Sequence, residues 1–293
     1  MAEMDYFVVD VFTETALAGN PLAVVMNEVG LSRETMQSIA CEFNLSETAF
    51  VQRRAAALEQ AEGVRVRIFT TQEELNFAGH PTLGTASVLK LTAPEAVHGD
   101  TVMLKLNVGP VPVRFSERLH GEMTQRDPEF GAELDPAEVA RLTGFAFEDI
   151  DPAAPPQVVS TGTAFAIVTL RSHEALARFR VDVETATAWL RERGARWFYA
   201  LGPTGGDEPA WRARMQFHGG EDPATGSAAG CAIAHLVARG LAPSGQRIHL
   251  RQGVEIGRPS ELFLSARLNL ARVTDVRVAG STVLVAKGRL FLP

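Results

Sequence analysis

Alternating apolar and polar positions mark the first element. YFVVDVF, residues 6–12, is rich in β-branched and aromatic side chains and predicts a strand. A Gly19-Asn20-Pro21 turn leads into a second strand, NPLAVVM. The period then changes. In LSRETMQSIACEFN, Met36, Ile39, Ala40 and Phe43 share one helical face, Ser32 stands at the N-cap, and Asn44 stands where a left-handed residue ends a helix. TAFV at 48–51 and VRVRIFT at 64–70 return to strand patterning. HPTLGTA at 80–86 runs into the helical ASVLKL, whose small leading residues imply close packing, and TVMLKL and GPVPVRFS add strands.

The second half follows the same order. DPAEVARLTG at 135–144 is a helix with its own punctuation: Asp135 as cap, Pro136 in the first turn, Glu138 as a capping-box acid, Gly144 as the stop. TAFAIVTL at 163–170 is a strand that opens like TAFV. VETATAWLRERG reads as an inserted amphipathic segment. ARMQF parallels VRIF, DPATGSAAGCAIAHLVARG follows as turn and helix, and RIHLRQGVEIGRPSELFLSARL, VTDVRVAG and STVLVAKGRLFL close the chain as strands. Recurrence in one order predicts a duplicated α+β unit with a boundary near residues 116–130.

HPTLGTA at 80–86 and DPATGSA at 222–228 share their internal spacing, with His80 exchanged for Asp222. A helix start leaves N–H groups without partners and carries partial positive charge, and glycine lets a ligand come close to that backbone. Thr85 or Ser227 can add a hydroxyl donor. Two such turns facing one cleft would suit a carboxylate or phosphate. Capping competes with this reading, because Asp222 before Pro223, or Ser227, is also a good helix start. His80, at a Gly-His-Pro turn, is either a structural histidine or a proton carrier. Glu47 opens an apolar strand, and its partner in the second half is read as Gly162. It is either solvated or a general base whose affinity for protons rises with burial.

The bulk properties narrow the classes. Charged residues are 22% and apolar residues 46%, which predicts packed cores. A net charge of −7 with no dense basic run argues against nucleic acid. No apolar run is long enough for a bilayer, and the N-terminus has two early acids and no basic region, so a cytoplasmic setting is expected. Cys41 and Cys231 form no metal spacing and read as small buried apolar residues. No G-x-S-x-G supports a Ser227 hydrolase, and no G-x-G-x-x-G supports a nicotinamide site.

Together, DVFTETALAGNPLAVV, LSETAFV, RIFTTQEELNFAGHPTLGTA, EDPATGSAA and QGVEIGRPSEL resemble, in order and over nearly the whole chain, the PhzF-like family of phenazine-biosynthesis isomerases. The resemblance implies the diaminopimelate epimerase-like fold: two pseudo-symmetric domains, each a curved mixed β-sheet wrapped around a central helix. The first would take residues 1–116 and a returning strand at about 284–293, the second 117–283. It implies a homodimer and a cofactor-independent isomerase that moves a proton on a small anionic, carboxylate-bearing substrate in the interdomain cleft. The family's characterised enzyme acts on trans-2,3-dihydro-3-hydroxyanthranilate. Its catalytic glutamate matches Glu47, and its supporting histidine, aspartate and serine match His80, Asp222 and Ser227. Gly79, Gly226 and Ser227 would bind the carboxylate, with Asn20 either orienting the ligand or making a structural Asn-Pro turn. Two-thiol racemisation, used by epimerases of the related fold, finds no cysteine at either turn. The stretch from ARMQF to Asp222 is shorter than the family's usual one. Arg258 is either a carboxylate contact or a solvated arginine. The competing function is a non-catalytic small-anion-binding or regulatory protein that kept the cleft.

Overall fold

A computed structural model describes residues 2–27, 30–206, 210–217 and 220–292. Strands and helices mix throughout. In chain order they are β1 (Ala2–Val11), β2 (Asn20–Met26), α1 (Arg33–Phe43), β3 (Glu47–Gln52), α2 (Ala56–Glu62), β4 (Val64–Phe69), β5 (Glu74–Leu75), α3 (Gly79–Thr92), β6 (Val97–His98), β7 (Thr101–Leu106), β8 (Gly109–Glu117) and β9 (His120–Thr124). There follow β10 (Glu129–Glu133), α4 (Pro136–Thr143), β11 (Gln157–Ser160), β12 (Ala164–Thr169), α5 (Val183–Glu192), β13 (Trp197–Pro203), β14 (Trp211–Arg214), β15 (Gln216–Phe217), β16 (Gly220–Glu221), α6 (Gly226–Ala238), β17 (Ile248–Gln252), β18 (Ser260–Asn269) and β19 (Arg272–Leu292). The chain divides into two compact units, Met1–Thr124 with Ala279–Pro293, and Gln125–Val278.

In the first unit, β1 lies between β2 and the end of β19, antiparallel to both. β2 and β3 run parallel through the α1 crossover, β3 and β4 antiparallel, β4 and β7 parallel, and β7, β8 and β9 antiparallel. β9 pairs back with β19, so the ring of strands closes. α3 packs against β1, β2, β3, β7, β8 and β9. Its residues 79–89 are all buried, as a helix apolar on every side requires. Gly84 makes the close approach possible: a Cβ there would stand 2.7 Å from Leu22 and 2.8 Å from Val11. Gly84→Val is therefore expected to lower unfolding free energy by about 3 kcal/mol, overpacking outweighing the gain of under about 1 kcal/mol in helix propensity. The midpoint of urea unfolding checks this. α1 covers the outer face, where Met36, Ile39 and Ala40 join Met4, Val25, Phe50 and Phe69. Ser32 caps it by accepting from the Thr35 N–H at 3.2 Å, and Asn44 ends it at φ 51°.

The second unit repeats the connection senses. β11 and β12 are antiparallel, β12 and β13 parallel through α5, β13 and β14 antiparallel, β14 and β17 parallel through α6, and β17 and β18 antiparallel. α6, buried from Gly226 to Val237, packs on β11, β12, β13 and β18. α4 and α5 close a separate core with Phe145, Leu176, Phe179 and Phe198.

These pairings correct the alignment of the halves. β2 corresponds to β12, and β3 to β13. Glu47 pairs with Leu22 as Trp197 pairs with Phe165, so the counterpart of Glu47 is Trp197 and not Gly162. The shared TAF is coincidental, and it hid β13 (WFYALGP). VRIF and ARMQF do correspond: Arg67 donates to Glu74 at 2.7 Å as Arg214 donates to Glu221 at 2.8 Å. Two smaller expectations also change. Glu138 is not a capping-box acid but accepts from Trp189 Nε1 at 3.1 Å, tying α4 to α5. VTDVRVAG and STVLVAKGRLFL form one strand, because Ser281 and Thr282 continue the pairing, the Thr13 N–H bonding Ser281 O at 3.1 Å and Thr282 standing opposite Val11.

Candidate active site

Parallel strands begin at the same end of their sheet, so Asn20, which opens β2, and Glu47, which opens β3, lie near one another. His80 joins them from the first turn of α3. Asn20 and His80 are buried, and the Glu47 side chain keeps 15% exposure. Asn20 Nδ2 lies 3.1 Å from His80 Nδ1. An amide nitrogen only donates, so Nδ1 accepts and the ring proton sits on Nε2. That nitrogen lies 3.5 Å from Glu47 Oε2. Burial pushes His80 down to about 3, so the imidazole is neutral and the contact is not an ion pair. A carboxyl group thus faces a neutral N–H donor whose tautomer is fixed from behind.

In the second unit, Asp222, Thr225 and Ser227 are buried, and Thr225 Oγ1 donates to Asp222 Oδ2 at 2.6 Å. α6 starts at Gly226, behind Thr225, which makes no side-chain cap. Neither Asp222 nor Ser227 is the cap residue. α3 likewise starts behind Ala78 with no side-chain cap. Among the described residues, neither cap residue's side chain bonds the first N–H groups of its helix. The two motifs also differ in conformation. HPT lies inside α3, where the Thr82 N–H and hydroxyl both bond Ala78 O, whereas DPAT precedes α6. Thr85, fully buried in α3, finds no hydroxyl partner among the described residues.

A profile of the PhzC-PhzF family, phenazine biosynthesis-like proteins, matches residues 9–288. The chain belongs to the PhzC-PhzF family. An uncharacterised isomerase of Mesorhizobium japonicum is 36% identical over 100% of both chains. The trans-2,3-dihydro-3-hydroxyanthranilate isomerase of Pseudomonas aeruginosa is 36% identical, covering 98% of this chain and 99% of that one. The solved structure of a predicted epimerase from Pseudomonas aeruginosa superposes with a TM-score of 0.82 at 33% identity, over 99% of this chain and 100% of that one. This PhzC-PhzF chain is an isomerase of the family.

Three other sequence candidates resolve plainly in this PhzC-PhzF protein. Cys41 is exposed, not buried, and its thiol bonds Thr71 O at 3.1 Å. Cys231 is buried inside α6, and burial pushes its thiol up to about 11, so it carries no thiolate. The Arg258 N–H bonds Gly253 O at 2.9 Å, and Ser260 bonds the Arg258 carbonyl at 3.2 Å, so its backbone closes the loop after β17. Residues 218 and 219, in the short stretch before Asp222, lie outside the described residues. Among the described residues no group of His, Cys, Asp and Glu could hold a metal, and no helix is long and apolar enough to cross a membrane. The sequence reading missed Thr225 and also Gln125, whose amide donates to Gly226 O at 2.9 Å while Thr161 donates to its carbonyl oxygen at 2.6 Å. A polar residue at the N-terminal edge of the second unit was the available signal for Gln125.

Proposed function

We propose that this chain moves a proton between two carbons of a small carboxylate-bearing substrate without a cofactor, with Glu47 as the acid/base. The observation that carries this is the partly buried Glu47 carboxyl beside a neutral His80 that Asn20 fixes in one tautomer. Glu47 takes a proton from a carbon next to a conjugated system. The bond's electrons delocalise into that system, and Glu47 returns the proton at another carbon, leaving the formula unchanged. His80 Nε2–H donates to an oxygen or nitrogen of the substrate, and Asp222 accepts from its amine or hydroxyl. Gly79, Gly226 and Ser227 offer N–H groups to the carboxylate and to charge that develops as the proton leaves. Asn20 acts by holding the His80 ring.

The substrate class follows from those donors and acceptors: a small acid bearing an amine or hydroxyl. Trans-2,3-dihydro-3-hydroxyanthranilate, named for the Pseudomonas aeruginosa relative, is the first compound to test. The two units are read as epimerase-like domains of a homodimer. Incubation of the full chain with this compound, followed by ultraviolet absorbance and proton NMR, is expected to show an isomer of unchanged mass. No conversion at stoichiometric enzyme would overturn the substrate assignment.

A further inference from the structure

The motif QGVEIGRPSEL has no part in the roles above, yet its first residue is fully buried at the end of β17. Strand alternation puts Gln252 on the inward face with Ile248 and Leu250. A buried carboxamide is costly unless its hydrogen bonds are met. Here four are. Oε1 accepts from the Tyr199 hydroxyl at 3.0 Å and from the Thr225 N–H at 3.1 Å. Nε2 donates to the Asp222 carbonyl at 2.8 Å and to Thr225 Oγ1 at 3.0 Å. The orientation of the amide is fixed, because the Asp222 carbonyl can only accept and the Thr225 N–H can only donate. Thr225 Oγ1 accepts from Gln252, so its own proton goes to Asp222 Oδ2, 2.6 Å away.

The internal repeat provides the control. Val64 pairs with Leu104 in β7 as Trp211 pairs with Leu250 in β17, which sets Leu106 at the place of Gln252. Leu106 is apolar and buried, and in that unit the HPT segment is helical. With glutamine there, the matching segment is held outside the helix by side-chain bonds to its N–H and carbonyl groups. Gly253 completes the seat. It has φ +77°, and a Cβ would come within 2.6 Å of Pro223 O.

We propose that Gln252 is a positioning residue that keeps residues 222–225 out of α6 and, through the Thr225 hydroxyl, delivers a hydrogen bond to the Asp222 carboxylate. This rests on the reading of Asp222 as a ligand-facing group. Through Thr225, Gln252 thus fixes a donor on Asp222 Oδ2. The buried Tyr199 phenol, kept protonated by burial and by the charge of Asp222, is the second brace on the same amide.

The test is a carbon-13 NMR titration of the Asp222 side-chain carboxyl in the full chain without substrate. Wild type is compared with Thr225→Val, Thr225→Ser and Gln252→Leu, the last installing the residue of the other repeat. A lost donor to the ionised carboxylate raises its titration midpoint, by about one pH unit in Thr225→Val and Gln252→Leu. Thr225→Ser restores the wild-type midpoint, and the Thr225 N–H exchanges faster in Gln252→Leu. Thr225→Val keeps the side chain's shape, so it decides the matter even where Gln252→Leu does not fold. A wild-type midpoint in folded Thr225→Val, or a Thr225→Ser midpoint matching that of Thr225→Val, overturns the proposal. The titration needs no turnover, so failure of the isomerase assignment leaves its outcome untouched.

Discussion

Glu47→Gln is expected to lower kcat by about 10²–10⁴-fold, the range that a positioned general acid/base supplies, while KM changes by only a few-fold. Glutamine keeps the shape of the side chain and its place at the head of β3, but it neither takes nor returns a proton. His80 favours this split between kcat and KM. Being neutral, it loses no ion pair when the carboxylate goes, so the Asn20–His80 pair is undisturbed by the change. A purely structural Glu47 would instead lower thermal stability and raise KM. Steady-state kinetics beside a melting curve separate the two.

Stability is expected to fall steeply on mild acidification. Burial pushes His80 down to about 3 and His235 down to about 4, Arg239 adding to the effect at His235. Both folded-state values lie below the ordinary histidine value, so between about pH 6.5 and 4 the unfolded chain binds more protons than the folded one. Unfolding free energy therefore rises with pH in that window, by about 1.4 kcal/mol per pH unit for each histidine. Glu74, held down to about 2 by hydrogen bonds from Arg67 and Asn107, adds a further loss below about pH 4.5. His235→Met should flatten the dependence between pH 6.5 and 4 by one proton's worth. Urea unfolding across that range measures it, and an unchanged slope would place the effect elsewhere.

Much of the candidate site could be read from the chain because its signals are local. The paired motifs announced two helix starts, the acid at the head of an apolar strand marked Glu47, and the lone histidine between Gly79 and Pro81 marked His80. The closeness of Asn20, Glu47 and His80 depends instead on the parallel β2–α1–β3 crossover, which no spacing reveals. The repeat was legible but set out of register, because TAF offered a stronger local match than the topological pair of Glu47 with Trp197. α2 went unseen because its seven residues lack a periodic face; it is tied down by Glu59, which accepts from Arg53 Nε at 3.1 Å and the Arg54 N–H at 2.7 Å. The late start of α6 was hidden for a related reason. Asp-Pro followed by small residues favours a helix, and the distant Gln252 bonds that segment outside one. The clue was a glutamine at an inward strand position.

The central assignment is proton transfer by Glu47, and the most direct measurement is carbon-bound hydrogen exchange in heavy water. Proton NMR of trans-2,3-dihydro-3-hydroxyanthranilate should show deuterium entering the reacting carbons with the wild-type chain and none above background with Glu47→Gln. Deuterium entering at the wild-type rate with Glu47→Gln would contradict it.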